Sequence, residues 1–334
     1  MLLTLRLTRH FRLAACALAA ALLAACGGGG DGDGGPARPP VEPQPVNQDV
    51  PAADYPDSAR LTLYQQLNTV RLGAGAGAAR QNVRLDRAAA NHLDYLRING
   101  VSAGHGEQPG LQGFTGSTPG ARVTAAGYAW SFVSEDLAWG SAFTPMQCLD
   151  LLLSSVYHLA SLLAEQVDMG VAFGLAGGVN GCVFNFGVPR GGAPQRPASS
   201  VVKAYPYPGQ RGVATTFVPA TESPNPMPDV GGRGVGQPVF VSMRAQGASD
   251  GAGYTVSAFT LRDATGAAVA SRLIADSATT GPDVTADPVE PGLRPGEVFL
   301  VPLSPLAAGS TYTASFSGSN GSVPYTATWQ FTTR

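Results

Sequence analysis

The chain has 334 residues, with 21 Lys and Arg against 23 Asp and Glu and a formal net charge of −2 at pH 7. That balance argues against a nucleic-acid or anionic-membrane interface driven by positive charge. Charged residues are only 13 % of the chain, about half the usual share, and 43 Gly and 27 Pro punctuate it, which argues against a coiled coil, a long helical bundle or a charged disordered protein. The 44 % hydrophobic content can bury a core, and the length allows two domains with linkers.

Arg6, Arg9, His10 and Arg12 make a basic start, followed by an uncharged apolar run over 13–25. The run is shorter than the roughly 20 residues that span a bilayer, so residues 1–25 read as a signal peptide. It ends Leu23-Ala24-Ala25-Cys26-Gly27, which resembles a bacterial lipoprotein signal, and that resemblance implies lipid on Cys26. Cys16 closes a similar tetrapeptide but has only a basic segment before it. Residues 26–56 are Gly-rich and then Pro-rich, and read as a tether that holds the folded part off the membrane.

From residue 57 the texture becomes helical. Asp57 or Ser58 caps a helix carrying Leu61, Tyr64, Leu67 and Val70, which the Gly-rich stretch from Gly73 stops. A second helix is expected over 82–99, with Leu85, Ala89, His92 and Leu96 on one face and Gly100 closing it. A short third helix starts near Thr118-Pro119, and a fourth is expected over 145–164. Strands over 169–173 and 182–187 flank a Gly-rich turn and form a hairpin. Helices first and an antiparallel hairpin after predict an α+β domain over 57–190.

In order, the chain shows Asn68 to Arg71, the helix of Ala89 to His92, Gly104-His105-Gly106, Ser134-Glu135-Asp136-Leu137-Ala138-Trp139-Gly140, Ser155 to His158, and Met169-Gly170-Val171-Ala172-Phe173-Gly174. This set resembles the bacterial branch of the CAP superfamily. The resemblance implies an α-β-α sandwich whose cleft receives two histidines, His105 and His158, and the carboxylate of Glu135. It also implies a divalent metal, usually zinc, and a second carboxylate. Glu107, Asp150 and Glu165 are the nearby acids, and none of them fits the motif. The family's Gly-Glu-Asn reads Ser134-Glu135-Asp136 here.

The residues point the same way by themselves. Of four histidines, His92, His105 and His158 follow the signal. His105 sits between glycines, where no packing face exists, and neutral imidazole is a common metal ligand and an acid/base near neutral pH. Two imidazoles with Glu135 make a set able to hold Zn2+ with an open position. The alternatives are an exposed turn histidine for His105 and a hydrogen-bonded structural one for His158. His92, on an apolar face, reads as structural. Glu135 lies among Phe132, Leu137 and Trp139, where burial raises a carboxyl unless a cation compensates. Ser154 and Ser155 are close to His158 in sequence, but no nucleophile elbow, zincin motif, P-loop or dinucleotide fingerprint is present. Cys148 and Cys182 remain after export, in a compartment that permits a disulfide.

Residues 191–200 read as a linker. Beyond them, short strands with Gly, Pro and Asp turns predict an all-β sandwich over 201–334. The ending Leu306-Ala307-Ala308-Gly309-Ser310-Thr311-Tyr312-Thr313, with Trp329-Gln330-Phe331-Thr332-Thr333, resembles bacterial Ig-like domains and implies a spacer or adhesion role. The expected protein is an exported lipoprotein, membrane-anchored through Cys26. It binds a lipid, peptide or envelope glycan, and no nucleic acid, in the cleft of His105, Glu135 and His158. The alternatives are a metal-assisted hydrolase using the same cleft and a structural surface protein.

Overall fold

The computed structural model describes residues 42–247, 253–289 and 292–334. The expected signal peptide over 1–25, the expected lipidation at Cys26 and the Gly-rich run 27–35 lie outside the described residues. The described chain is mixed α+β, with helices around a mostly antiparallel four-stranded sheet first and two further sheets of five and four strands after it.

The first part contains β1 (Gln44–Pro45), α1 (Ser58–Gly73), β2 (Arg80–Gln81), α2 (Val83–Asn99), α3 (Pro119–Ala125), β3 (Trp130–Gly140), α4 (Pro145–Leu153), α5 (Tyr157–Leu162), β4 (Asp168–Ala176) and β5 (Val179–Pro189). Side chains set most of the boundaries. Asp57 accepts from Arg60 N at the start of α1, Asn82 does the same from Arg84 N for α2, and Thr118 and Thr144 cap α3 and α4 ahead of a proline. The β4–β5 hairpin turns through Gly177 and Gly178, both at positive φ, as a tight primed turn requires. The single helix expected over 145–164 is two helices, interrupted at Ser154, Ser155 and Val156.

The sheet runs β2-β4-β5-β3, so β3 lies on an edge. Its alternating residues bury both faces. Leu137, Ala172 and Val183 pack on Ala89, Leu93 and Leu96 of α2. Ala138, Val171, Phe184 and Phe186 share a cluster with Leu67 of α1, Leu152 of α4 and Leu159 of α5. At Gly170 an added Cβ would lie 2.1 Å from the Leu85 carbonyl carbon, so the absent side chain lets α2 settle directly onto β4. The Cys148–Cys182 disulfide ties α4 to β5.

The second part comprises β6 (Gln195–Arg196), β7 (Lys203–Tyr205), β8 (Val239–Ser242), β9 (Tyr254–Arg262), β10 (Ser271–Ala275), β11 (Thr279–Thr280), β12 (Val284–Ala286), β13 (Glu297–Pro302), β14 (Thr311–Asn320) and β15 (Val323–Thr332). A five-stranded sheet, β12-β10-β13-β8-β7, faces a four-stranded one, β11-β9-β14-β15, across a core that includes Val241, Val256, Leu261, Leu300, Phe316 and Trp329. Strand β14 alternates buried and half-buried residues, as expected with one face covered, whereas β8 and β13 are buried at every residue.

The reason lies on the other side of the five-stranded sheet. Phe240, Ile274, Phe299 and Val301 belong to the same buried cluster as Leu63, Leu152 and Leu159 of the helical part. The two parts therefore share one apolar core. Tyr55, from the stretch expected as tether, belongs to it, and parts of both the tether and the linker are bonded to the folded parts. Strand β1 pairs with β6, the Pro51 carbonyl accepts from Tyr64 Oη at 2.9 Å, Tyr55 is buried, and Arg196 reaches Glu165 at 2.9 Å. Tyr55 and residues 195–197 are thus buried parts of stretches that were expected only to connect. Among the described residues, no helix is long and apolar enough to cross a membrane.

Candidate functional site

Glu135 and Asp136 are consecutive on β3, and its register against β5 is unbroken there, so their side chains project to opposite faces of the edge. The site is built around that edge. On the α2 face, Glu135 is buried and accepts from Arg122 Nη2 at 2.6 Å, and His105 Nδ1 lies 3.0 Å from the same carboxylate oxygen. Asn185, opposite Glu135 on β5, is oriented to donate its amide to the other oxygen at 3.3 Å. Burial alone would raise the Glu135 carboxyl, but the Arg122 guanidinium, the His105 bond and the nearby His92 hold it down at about 2. Behind this pair, His92 is buried with Nε2 donating to Gly104 O at 2.8 Å and Nδ1 3.0 Å from Glu107. Glu107 also accepts from the backbone of Thr115 and Gly116. His92 is thus the structural residue its apolar face predicts, and it braces the loop that presents His105.

On the α5 face, Asp136 is buried and accepts from Ser161 Oγ at 2.7 Å. Burial pushes its carboxyl up to about 6, against the pull of His158, Ser161 and His105. His158, in the first turn of α5, lies with its ring centroid 6.5 Å from that of His105 and the planes inclined by 26°. Its Nδ1 is 2.9 Å from the Glu222 carboxylate. Burial works against the charged imidazole, but the Glu222 bond and the negative charges of Glu222 and Asp136 outweigh it and raise the His158 pKa.

The two histidines named from sequence therefore come together, and each has a carboxylate at Nδ1. A carboxylate accepts, so each ring carries its proton on Nδ1. Among the described residues, Nε2 of neither ring has a hydrogen-bond partner. The side chains are 28 % exposed for His105 and 19 % for His158. A groove of about 550 Å³ follows the loop around His105, lined by Tyr95, Asn99, Ser102, Gln108, Leu111 and Ser117.

Glu135 does not join the imidazoles as a third ligand. It stands behind His105 and is occupied by Arg122, and among the described residues no group of three or more His, Cys, Asp or Glu side chains is arranged to hold a metal ion. The Zn2+ set of His105, His158 and Glu135 is accordingly not assembled. The hydroxyls of Ser154 and Ser155 donate to the carbonyls of Asp150 and Leu152, so neither is aimed at His158. Of the acids considered for the second carboxylate, Glu107 serves His92, Asp150 meets Arg334, and Glu165 meets Arg196 and Arg244. The acids beside the pair are Asp136, next to Glu135 in the motif, and Glu222, in a Pro-rich stretch with no sequence signal of its own.

No protein-family model matches the chain, and no curated protein matches it.

Proposed function

We propose that this is an exported, lipid-anchored protein of the CAP superfamily, an α-β-α sandwich followed by an Ig-like β-sandwich. In this reading it binds a polar ligand, an envelope glycan or peptide, at the His105–His158 pair. The ordered sequence blocks support the family, as do helices on both faces of one sheet. The Ig-like reading draws support from Tyr312, whose hydroxyl accepts from Ala307 N at 2.8 Å beside the strand it opens. Lipid on Cys26 accounts for a signal-like run that ends in cysteine.

One observation carries the ligand assignment: two neighbouring, partly exposed imidazoles held at Nδ1 by buried carboxylates, each with Nε2 unpaired among the described residues. Such nitrogens accept from hydroxyl and amide groups, and donate to carboxylates once protonated. The amide and hydroxyl groups of the adjacent groove favour a peptide or glycan over a lipid tail. We read the pair as a binding site: among the described residues the Ser154 and Ser155 hydroxyls are turned to backbone carbonyls, which leaves the two imidazoles as the groups facing a ligand.

The test is calorimetric titration of the full exported chain with purified muropeptides and short envelope glycans, repeated with the His105→Ala/His158→Ala variant. Saturable binding weakened at least about tenfold in the variant, with its melting temperature kept, is the expected result. Equal affinity in both proteins, or no binding to either ligand class, would overturn the reading.

A further inference from the structure

The break between α4 and α5 is bonded locally through Ser154 and Ser155 and, across it, from the C-terminal part of the chain. Gln237 Nε2 donates to Leu153 O, in the last turn of α4, at 2.9 Å. Tyr157 Oη donates to Asp287 at 2.6 Å. Glu222 does the most. One carboxylate oxygen accepts from Val156 N at 2.8 Å, and the other from Tyr157 N at 2.8 Å, His158 N at 3.0 Å and the His158 ring at 2.9 Å. Its side chain is 1 % exposed and lies between Pro219 and Pro224, in a segment whose prolines restrict the backbone.

This arrangement joins two jobs in one group. The carboxylate supplies the acceptor that the first amides of α5 lack, and the same charge at a helix start is favourable. By bonding Nδ1 it also fixes which ring nitrogen of His158 carries the proton and which way the ring turns. We infer that Glu222, delivered by the C-terminal domain, is the positioning residue of His158 within the His105–His158 pair, so that the domain expected to be a spacer completes the site. The inference rests on the proposal that the pair faces a ligand only for its functional meaning; the positioning role is separate. The charged and titratable groups facing His158 are Glu222 from the C-terminal part, Asp136 from β3, and His105, itself backed by Glu135.

The test is ring ¹⁵N NMR of the full chain across pH, on wild type and Glu222→Gln, with muropeptide added as a probe. Glutamine keeps one acceptor for the backbone but loses the charge. In wild type, neutral His158 should be the Nδ1–H tautomer. In Glu222→Gln its titration midpoint should fall by about one pH unit. Muropeptide affinity should drop about tenfold. A wild-type Nε2–H tautomer, or an unchanged His158 midpoint in a folded Glu222→Gln protein, would overturn the inference. If the variant does not fold, the wild-type tautomer decides alone. If His158 shifts as expected while muropeptide binds neither protein, the positioning role stands and the ligand proposal fails.

Discussion

Asp136 is a buried acid whose carboxyl is pushed up to about 6, from an ordinary value of 3.8, by loss of solvent. Between those two values the folded protein holds a proton that the unfolded chain releases, so stability falls as pH rises through this window and stays lower above it. About two pH units at roughly 1.4 kcal/mol each gives a penalty near 3 kcal/mol at neutral pH. Replacing Asp136 by Asn removes the charge but keeps an oxygen for Ser161 Oγ. Part of the gain is offset by the lost attraction to His158. The Asp136→Asn variant should therefore be more stable than wild type by about 1–2 kcal/mol at pH 7.5, with the difference vanishing below about pH 4, where the wild-type acid is protonated. Urea unfolding followed by tryptophan fluorescence at a series of pH values measures both quantities. A variant less stable at pH 7.5, or a difference that does not change with pH, would refute the reasoning.

Three further outcomes are expected. The Lys203 ammonium is buried, and desolvation pushes it down to about 7 despite Glu165; stability should rise with pH between about 7 and 10, and Lys203→Met should abolish that rise and be at least as stable as wild type at pH 7. A loss of more than about 2 kcal/mol at pH 7 in that variant would instead show the ammonium to be a net stabiliser. Removing the Cys148–Cys182 bridge, with its separation of 34 residues, should lower the unfolding free energy by about 3–4 kcal/mol in urea titrations, and a loss under about 1 kcal/mol would contradict the constraint assigned to it. Cys26→Ser should move the exported protein from the detergent phase to the aqueous phase on Triton X-114 partition; unchanged partition would end the lipid-anchor proposal.

Local chemistry made much of the helical part readable. Asp57, Asn82 and Thr118-Pro119 mark helix starts through side-chain caps, and Gly177-Gly178 marks the hairpin. The nearness of His105 and Glu135 was legible from the motif order, and the disulfide from compartment and cysteine count. What escaped depends on residues far apart in the chain. The interruption at 154–156 has no proline or glycine, and its partners Glu222, Gln237 and Asp287 arrive from 65 or more positions away. Strand β3 carries Glu135 and Asp136 in its middle, which hides its alternation until Arg122 and Ser161 are seen to satisfy them. The shared core was invisible for a similar reason. Val239, Phe240 and Val241 announce a strand buried on both sides, without saying that the second side is covered by α1 and α4.

The proposed ligand bonds Nε2 of both His105 and His158. A crystal structure of the full exported chain with bound muropeptide tests this most directly. The predicted result is a ligand oxygen or nitrogen within hydrogen-bonding distance of both Nε2 atoms, with Glu135 and Glu222 still on the two Nδ1 atoms. A muropeptide seated elsewhere, with both imidazoles untouched, would contradict it.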